Sequence, residues 1–483
     1  MSSANLKELS KWDETIKELV DKYGLNCYPQ EYEICDHNEM IGYMATSGMP
    51  ARYCHWSYGK SFERTKTMYD YGVQGLPYEL VINSKPCLAY LMRDNTLLLQ
   101  ILIMAHVYGH NDFFKNNYTF TSATKAEYTL EMFKNHARRI DSYIQDPSIG
   151  IEAVESVLDN AHALSMQVSK NLGLAKLSER DARVRKWEAA QPVNDKWKDI
   201  HKKQEYHAPN LTKLPTEPDE DILGFIAKYN PYLPEWKRDI IRIVEAEAKY
   251  FMPQIETKIM NEGWASYWHH KILNELDLPQ GLHMEFMVRH NQVLRPHPGS
   301  LNPYHLGFVM WHDIEKRWNE GNTGREWTED KANSATDENL TPGRKKIFEV
   351  RESDRDTSFL RRFLTRDLME ELNLFQHEKR GKERVITKVA SEDSWQEVRD
   401  NLINQVGANG IPTIKVEDAD FSGQRSLYLK HYHEGRDLLL EYAEHTLKSV
   451  KALWGREVVL ETMLGGKKSL LRMSGESLKV EKL

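Results

Sequence analysis

Two histidines one helical turn apart are the residues of this chain best placed to do chemistry. His106 and His110 lie in Leu97–Asn117, LLLQILIMAHVYGHNDFFKNN. At about 100° per residue, His-x-x-x-His puts both imidazoles on one face of a helix. Zinc hydrolases use that spacing to present two nitrogens to one ion. Their fuller motif, His-Glu-x-x-His, adds a glutamate as general base. Here that position is Val107, so the ligand half of the motif is present and the catalytic half is missing. Two core histidines hydrogen-bonded to carboxylates or carbonyls would leave the same pattern without a metal. Either way they need partners, since an unpaired buried polar group costs about 1–3 kcal/mol. Gly109, in the same run, costs about 1 kcal/mol relative to Ala in a helix and points to a close neighbour.

The third candidate ligand is Glu262, in IETKIMNEGWASYWHHKILNEL. A carboxylate in an apolar, aromatic helix is expensive unless a charge or a metal pairs with it. Its neighbours Met260, Trp264 and Trp268 offer no charge. Two histidines one turn apart and a distant helical glutamate form the gluzincin ligand set. The same 2-His-1-carboxylate set serves non-haem iron enzymes. His269 shares the Glu262 face and is the first candidate to replace the missing base, followed by His55 and Asp112. Asp112 points well away from His110 on a regular helix. Glu155, Asp159 and His162 also share a helix face, either as part of a second metal site or as a solvated polar surface. His305 and His312, with Asp313, either approach the site or are core histidines.

These residues need rigid elements to hold them. The Asp94-Asn95-Thr96 cap and the all-round apolar run after it predict a buried helix for His106 and His110. Before it, Tyr78–Asn83 and Cys87–Met92 read as a hairpin turning at Ser84-Lys85-Pro86. Leu6, Leu9, Trp12, Ile16 and Leu19 trace an amphipathic first helix ending at Gly24. Met40–Gly72 is an irregular aromatic segment of the kind that lines sites, with Arg52, His55, Trp56, Ser57 and Lys60 its polar candidates. Residues 180–237 are charged and proline-punctuated and read as an exposed excursion. Pro253 predicts a break before the Glu262 helix. Asn302 reads as an N-cap with Pro303 at the first helical position. The polar stretch 319–356 suggests a boundary near residue 335. Beyond it, helices, hairpins and strands form an α+β module without a metal or nucleophile motif, suited to binding or docking.

The chain has 483 residues and a net charge of −7, which excludes a dedicated nucleic-acid binder. No apolar run is long enough to span a bilayer and the amino terminus lacks a signal core. Cys27, Cys35, Cys54 and Cys87 contain no C-x-x-C pair, so free thiols and a cytoplasmic location are expected. The fold class is α+β and predominantly helical. A large zincin-like domain with a small hairpin spans 1–335, and a smaller α+β domain spans 336–483.

With these motifs assembled, the chain resembles the SpoVR family, named for stage V sporulation protein R. The resemblance rests on PARYCHWSYGKSFE, YELVINSKPCLAYLM, AHVYGHNDFFKNN, TKIMNEGWASYWHH and NPYHLGFVMWHDIEKRW. It implies a bacterial cytoplasmic protein linked to spore cortex formation, with relatives tied to stress alongside a serine protein kinase. It supplies context rather than chemistry. The expected function is a metal-dependent hydrolase acting on an amide or peptide-like bond. Zinc is the simplest ion, with iron or another divalent metal as alternatives, and a peptidoglycan-derived molecule would be a natural substrate. The alternatives are a stress or sporulation scaffold with a structural metal, recruiting the kinase through its C-terminal module, and a non-haem iron or two-metal redox enzyme.

Overall fold

The structure is a computed structural model that describes residues 5–72, 79–170, 173, 176–191, 208–296, 301–321, 341–374, 376–380, 383–388 and 394–483. Most of the expected boundary near 335, and part of the expected excursion, lie outside the described residues. Helix dominates, with small sheets and a C-terminal α+β region.

One compact unit comprises Met1–Asp141 and Phe251–Gly410. Its centre is the histidine helix, Leu97–Asn116, with Leu98 to Phe114 continuously buried. The Thr96 hydroxyl accepts from Leu99 N and starts it, as the cap signal predicts. The glutamate helix, Lys258–Glu275, packs across it at Gly109, where an added Cβ would sit 2.6 Å from Ala265 Cα. On its other side Gly263 meets Gly307 of the Pro303–Asn319 helix. Glycine at both crossings lets backbones approach and fixes the helix separation. Leu102, Trp264, Trp268, Trp311 and Phe359 share one core there.

The expected hairpin is present. β2 (Glu79–Ile82) pairs antiparallel with β3 (Cys87–Met92), Glu79 opposite Leu91. Unforeseen is β1 (Gln30–Cys35), which pairs parallel with β3 to give the order β1-β3-β2. β2 is thus an edge strand. The helix Glu235–Glu256 runs through Pro253, and the break expected there falls at Thr257. The Thr257 side chain makes no cap bond. Instead Asp356 accepts from Ile259 N and Met260 N, both at 2.9 Å, and fixes the start of the glutamate helix.

That contact shows why a break at 335 does not separate the compact units. Ile347, Val350, Phe359 and Phe363 lie in the same core as the histidine helix. The apolar faces of the helices Pro342–Ser353 and Asp356–Phe363 are used up there, not in a separate module.

The second unit comprises Ser142–Tyr250 and Ile411–Leu483. Its five-stranded sheet holds, in order, Lys479–Lys482, Lys467–Met473, Val458–Leu464, Ser426–His431 and Ile414–Phe421. The helix Leu440–Trp454 connects its one parallel pair. Ile222–Tyr229 is a buried helix of this unit, so the excursion expected to stay exposed to residue 237 returns to the core at Ile222. Five apolar residues in that short helix outweigh the charged sequence around it.

Candidate metal centre

The imidazoles of His106 and His110 project from consecutive turns of the histidine helix, ring centroids 4.6 Å apart and nearly perpendicular. Glu262 comes from the facing helix. Its Oε2 lies 3.5 Å from His110 Nε2 and 3.9 Å from His106 Nε2. Among the described residues these are the three whose ligand atoms converge, all within 4.8 Å of one another. The two nitrogens and one carboxylate oxygen expected to meet are brought together.

The other ring nitrogens are tethered. His110 Nδ1 lies 2.9 Å from Asn261 Oδ1, which accepts only, so Nδ1 carries the proton and Nε2 presents its lone pair to the cluster. His106 Nδ1 lies 2.9 Å from His269 Nδ1, and His269 Nε2 lies 2.8 Å from His290 Nδ1. His106 Nε2 is buried and has no hydrogen-bond partner among the described residues. An orphaned ring nitrogen beside a second imidazole and a carboxylate fits a cation better than a packed core, where such a group would be satisfied.

Protonation agrees. Burial, helped by the His106 ring, pushes the His110 imidazole down to about 4, so it is neutral near pH 7. Burial pushes the Glu262 carboxyl up, but His106 and His110 outweigh it and hold it below its ordinary value. A neutral imidazole and an ionised carboxylate are the states metal coordination requires.

A cavity of about 790 Å³ opens at the cluster. Glu79, Leu80 and Val81 of β2 form one wall, and Phe114, Ile255, Leu301 and Tyr304 contribute others. Sequence reading missed two polar groups here. Glu79 Oε1 stands 4.0 Å from His106 Nε2, and burial pushes its carboxyl up. Tyr304 faces Glu262, whose negative charge, with burial, keeps the phenol protonated. The signal for Glu79 was a charged residue opening a β-rich run just before the histidine helix.

The remaining candidates sit elsewhere. His269 is fully buried and touches His106 on its Nδ1 side. Asp112 cannot act as a base. Its oxygens accept from Arg351 at 2.6 and 2.7 Å, from Trp264 Nε1 at 2.9 Å and from Asn26 N at 2.7 Å, all away from the ligand face. His55 caps the helix Trp56–Asp70, its Nδ1 accepting from Ser57 N, and does not line the cavity. His312 packs edge-on against Phe308 and tilted against Tyr267. Glu155, Asp159 and His162 belong to the helix Gly150–His162 of the second unit and form no metal-holding group among the described residues.

Residues 3–411 match the family model described as SpoVR like protein, and residues 412–465 match the SpoVR-like C-terminal domain. The chain belongs to the SpoVR family. The break between the two models falls where the second compact unit resumes, at Ile411. A relative from Escherichia coli (strain K12), named Uncharacterized protein YcgB, is 36% identical over 468 residues, covering 92% of this chain and 90% of its own. No solved structure matches. No helix among the described residues of this SpoVR protein is long and apolar enough to cross a membrane.

Proposed function

We propose that this SpoVR protein is a metal-dependent, zincin-like hydrolase of an amide or peptide-like bond, with His106, His110 and Glu262 holding a divalent ion, most simply zinc. The observation that carries this reading is the convergence of His106 Nε2, His110 Nε2 and Glu262 Oε2 beside a cavity, with an orphaned nitrogen among them. Three protein ligands leave a position open, as in catalytic rather than structural zinc sites. When bound, such an ion polarises a carbonyl and lowers the pKa of water.

The chain's own residues would do the rest. Glu79 takes the place of the missing motif glutamate, receiving the proton of the attacking water and returning it to the leaving amine. The balance is hydrolytic: water adds across the C–N bond, giving an acid and an amine, with no redox partner. The Tyr304 hydroxyl, held protonated, is a donor for the oxygen that gains charge as the carbonyl is attacked. His269 and Asn261 orient the two imidazoles.

Metal analysis of the purified full chain is the test. One zinc per chain, lost in His106→Ala and Glu262→Ala, is expected. Iron in its place would favour an oxidative centre, since the same ligand set holds ferrous ions. Folded protein that stays metal-free after zinc addition would overturn both readings.

A further inference from the structure

We infer that the substrate of this site is a short extended peptide that pairs with the free edge of β2 and places a carboxylate on Lys258. The inference rests on the metal reading above and adds the substrate class. Successive side chains of a strand point to opposite faces. Yet Glu79, Leu80 and Val81, three in a row, all line the cavity. The cavity therefore runs along the edge of the strand, where backbone N–H and C=O groups face it, and not against one face. β2 ends the order β1-β3-β2, and among the described residues its backbone pairs with β3 alone. An edge strand with unpaired backbone groups is a template for an added extended chain, which gains main-chain hydrogen bonds whatever its side chains.

The walls say what the added chain carries. Phe114, Ile255, Leu301 and Tyr304 offer apolar surface to its side chains. Lys258 is the one Lys or Arg among the described lining residues. It is exposed, and no carboxylate among the described residues lies within ion-pair distance of it. It sits one turn before Glu262 on the same helix. A helical turn is about 5.4 Å and an extended residue about 3.3 Å, so an anion on Lys258 falls within a residue or two of the cluster. Glu79, Glu262 and Asp356 make the rest of the charged lining acidic, so apart from the metal itself Lys258 is the one cationic partner for a carboxylate among the described lining residues. A volume of about 790 Å³ suits a peptide of a few residues.

The test uses the zinc-loaded full chain and a mixture of random tetrapeptides with free carboxyl termini. The same mixture is also offered amidated and, separately, with N-methylated backbones. Peptides carried through gel filtration are read by mass spectrometry, and cleaved peptides count as bound. Free acids retained at least ten-fold over amides and N-methylated peptides are expected, with Lys258→Gln erasing the preference for acids while zinc content is unchanged. Equal retention of acids and amides, a preference that survives in Lys258→Gln, or no retention by zinc-loaded protein overturns the inference and leaves the metal reading standing. A chain that takes up no zinc overturns both.

Discussion

His106 Nδ1 lies 2.9 Å from His269 Nδ1, and this contact governs which nitrogen His106 offers to the cavity. A neutral imidazole carries one proton. If Nε2 presents a lone pair, Nδ1 must donate, so His269 Nδ1 accepts and His269 Nε2 carries its own proton. That proton points to His290 Nδ1, 2.8 Å away. A lone pair offered at His106 Nε2 would thus set the tautomers of three buried rings in series. His269 is then an orienting group behind a ligand and not a base in front of it.

Removing that tether should weaken metal binding without abolishing it. His269→Leu is expected to lower zinc affinity by about 10–100-fold in competition with a chelator. His269→Asn keeps an acceptor near the position of Nδ1 and should recover part of the loss. Equal affinities for the two variants would show that the 269 side chain acts only by filling space.

Glu262 invites a sharper separation between binding and folding. Its carboxylate faces two imidazoles at 3.5 and 3.9 Å, and among the described residues no Lys or Arg pairs with it within ion-pair distance. Glu262→Gln keeps the volume and removes the charge. The metal-free variant should melt within a few degrees of the parent, while the rise in Tm that excess zinc gives the parent should vanish. A large drop in the metal-free Tm with zinc stabilisation intact would mark Glu262 as a structural residue.

The crossing at Gly109 should be intolerant of the smallest side chain. An added Cβ would lie 2.6 Å from Ala265 Cα, a backbone atom that cannot turn aside. Gly109→Ala is expected to cost about 1–3 kcal/mol in urea denaturation, despite the better helix propensity of Ala. Since Gly109 sits between His106 and His110, zinc affinity should fall as well. Adding Ala265→Gly removes only a Cβ 3.2 Å away and should restore a minor part.

Asp112 carries a different expectation from the histidines beside it. It is wholly buried and holds Arg351, Trp264 and Asn26 together. Asp112→Asn leaves the buried guanidinium with only the exposed Glu352 carboxylate, 2.8 Å away, as its charge partner and should cost about 3 kcal/mol. The folded fraction should still bind one zinc. A stable Asp112→Asn protein without zinc would return Asp112 to the metal site.

Local signals were legible in the sequence because they act over one or two helical turns or across a tight turn. The facing pair of histidines, the Thr96 and Asn302 caps, the β2–β3 hairpin and the close approach at Gly109 are all of that kind. Glu262 was legible because a carboxylate among tryptophans needs a partner. What could not be read depends on which distant segments meet. Asp356 caps a helix that begins almost a hundred residues earlier, and nothing around Asp356 names its partner. β1 finds β3 across more than fifty residues. Glu79 became visible as a site residue only when β2 was seen lying along the cavity. Asp112 was weighed as a base because its partner Arg351 lies 239 residues away.

Buried histidines set the last expectation, a steep loss of stability in acid. Burial first, then neighbouring rings, lowers His290 to about 3 and His312 to about 4, and His269 is held well below its usual range. Unfolded, each titrates near 6.5. Above that pH all are neutral in both states and their contribution to stability is intact. As pH falls below 6.5 the unfolded chain takes up protons that the folded chain refuses, so stability drains away down to about pH 3–4. Urea midpoints of zinc-free protein should therefore drop between pH 7.5 and 5. His312 packs on Phe308 and Tyr267, so His312→Phe keeps an aromatic ring there while removing one titrating group. The fall should be shallower in His312→Phe, and parallel curves for the two proteins would mean that His312 is protonated while still folded.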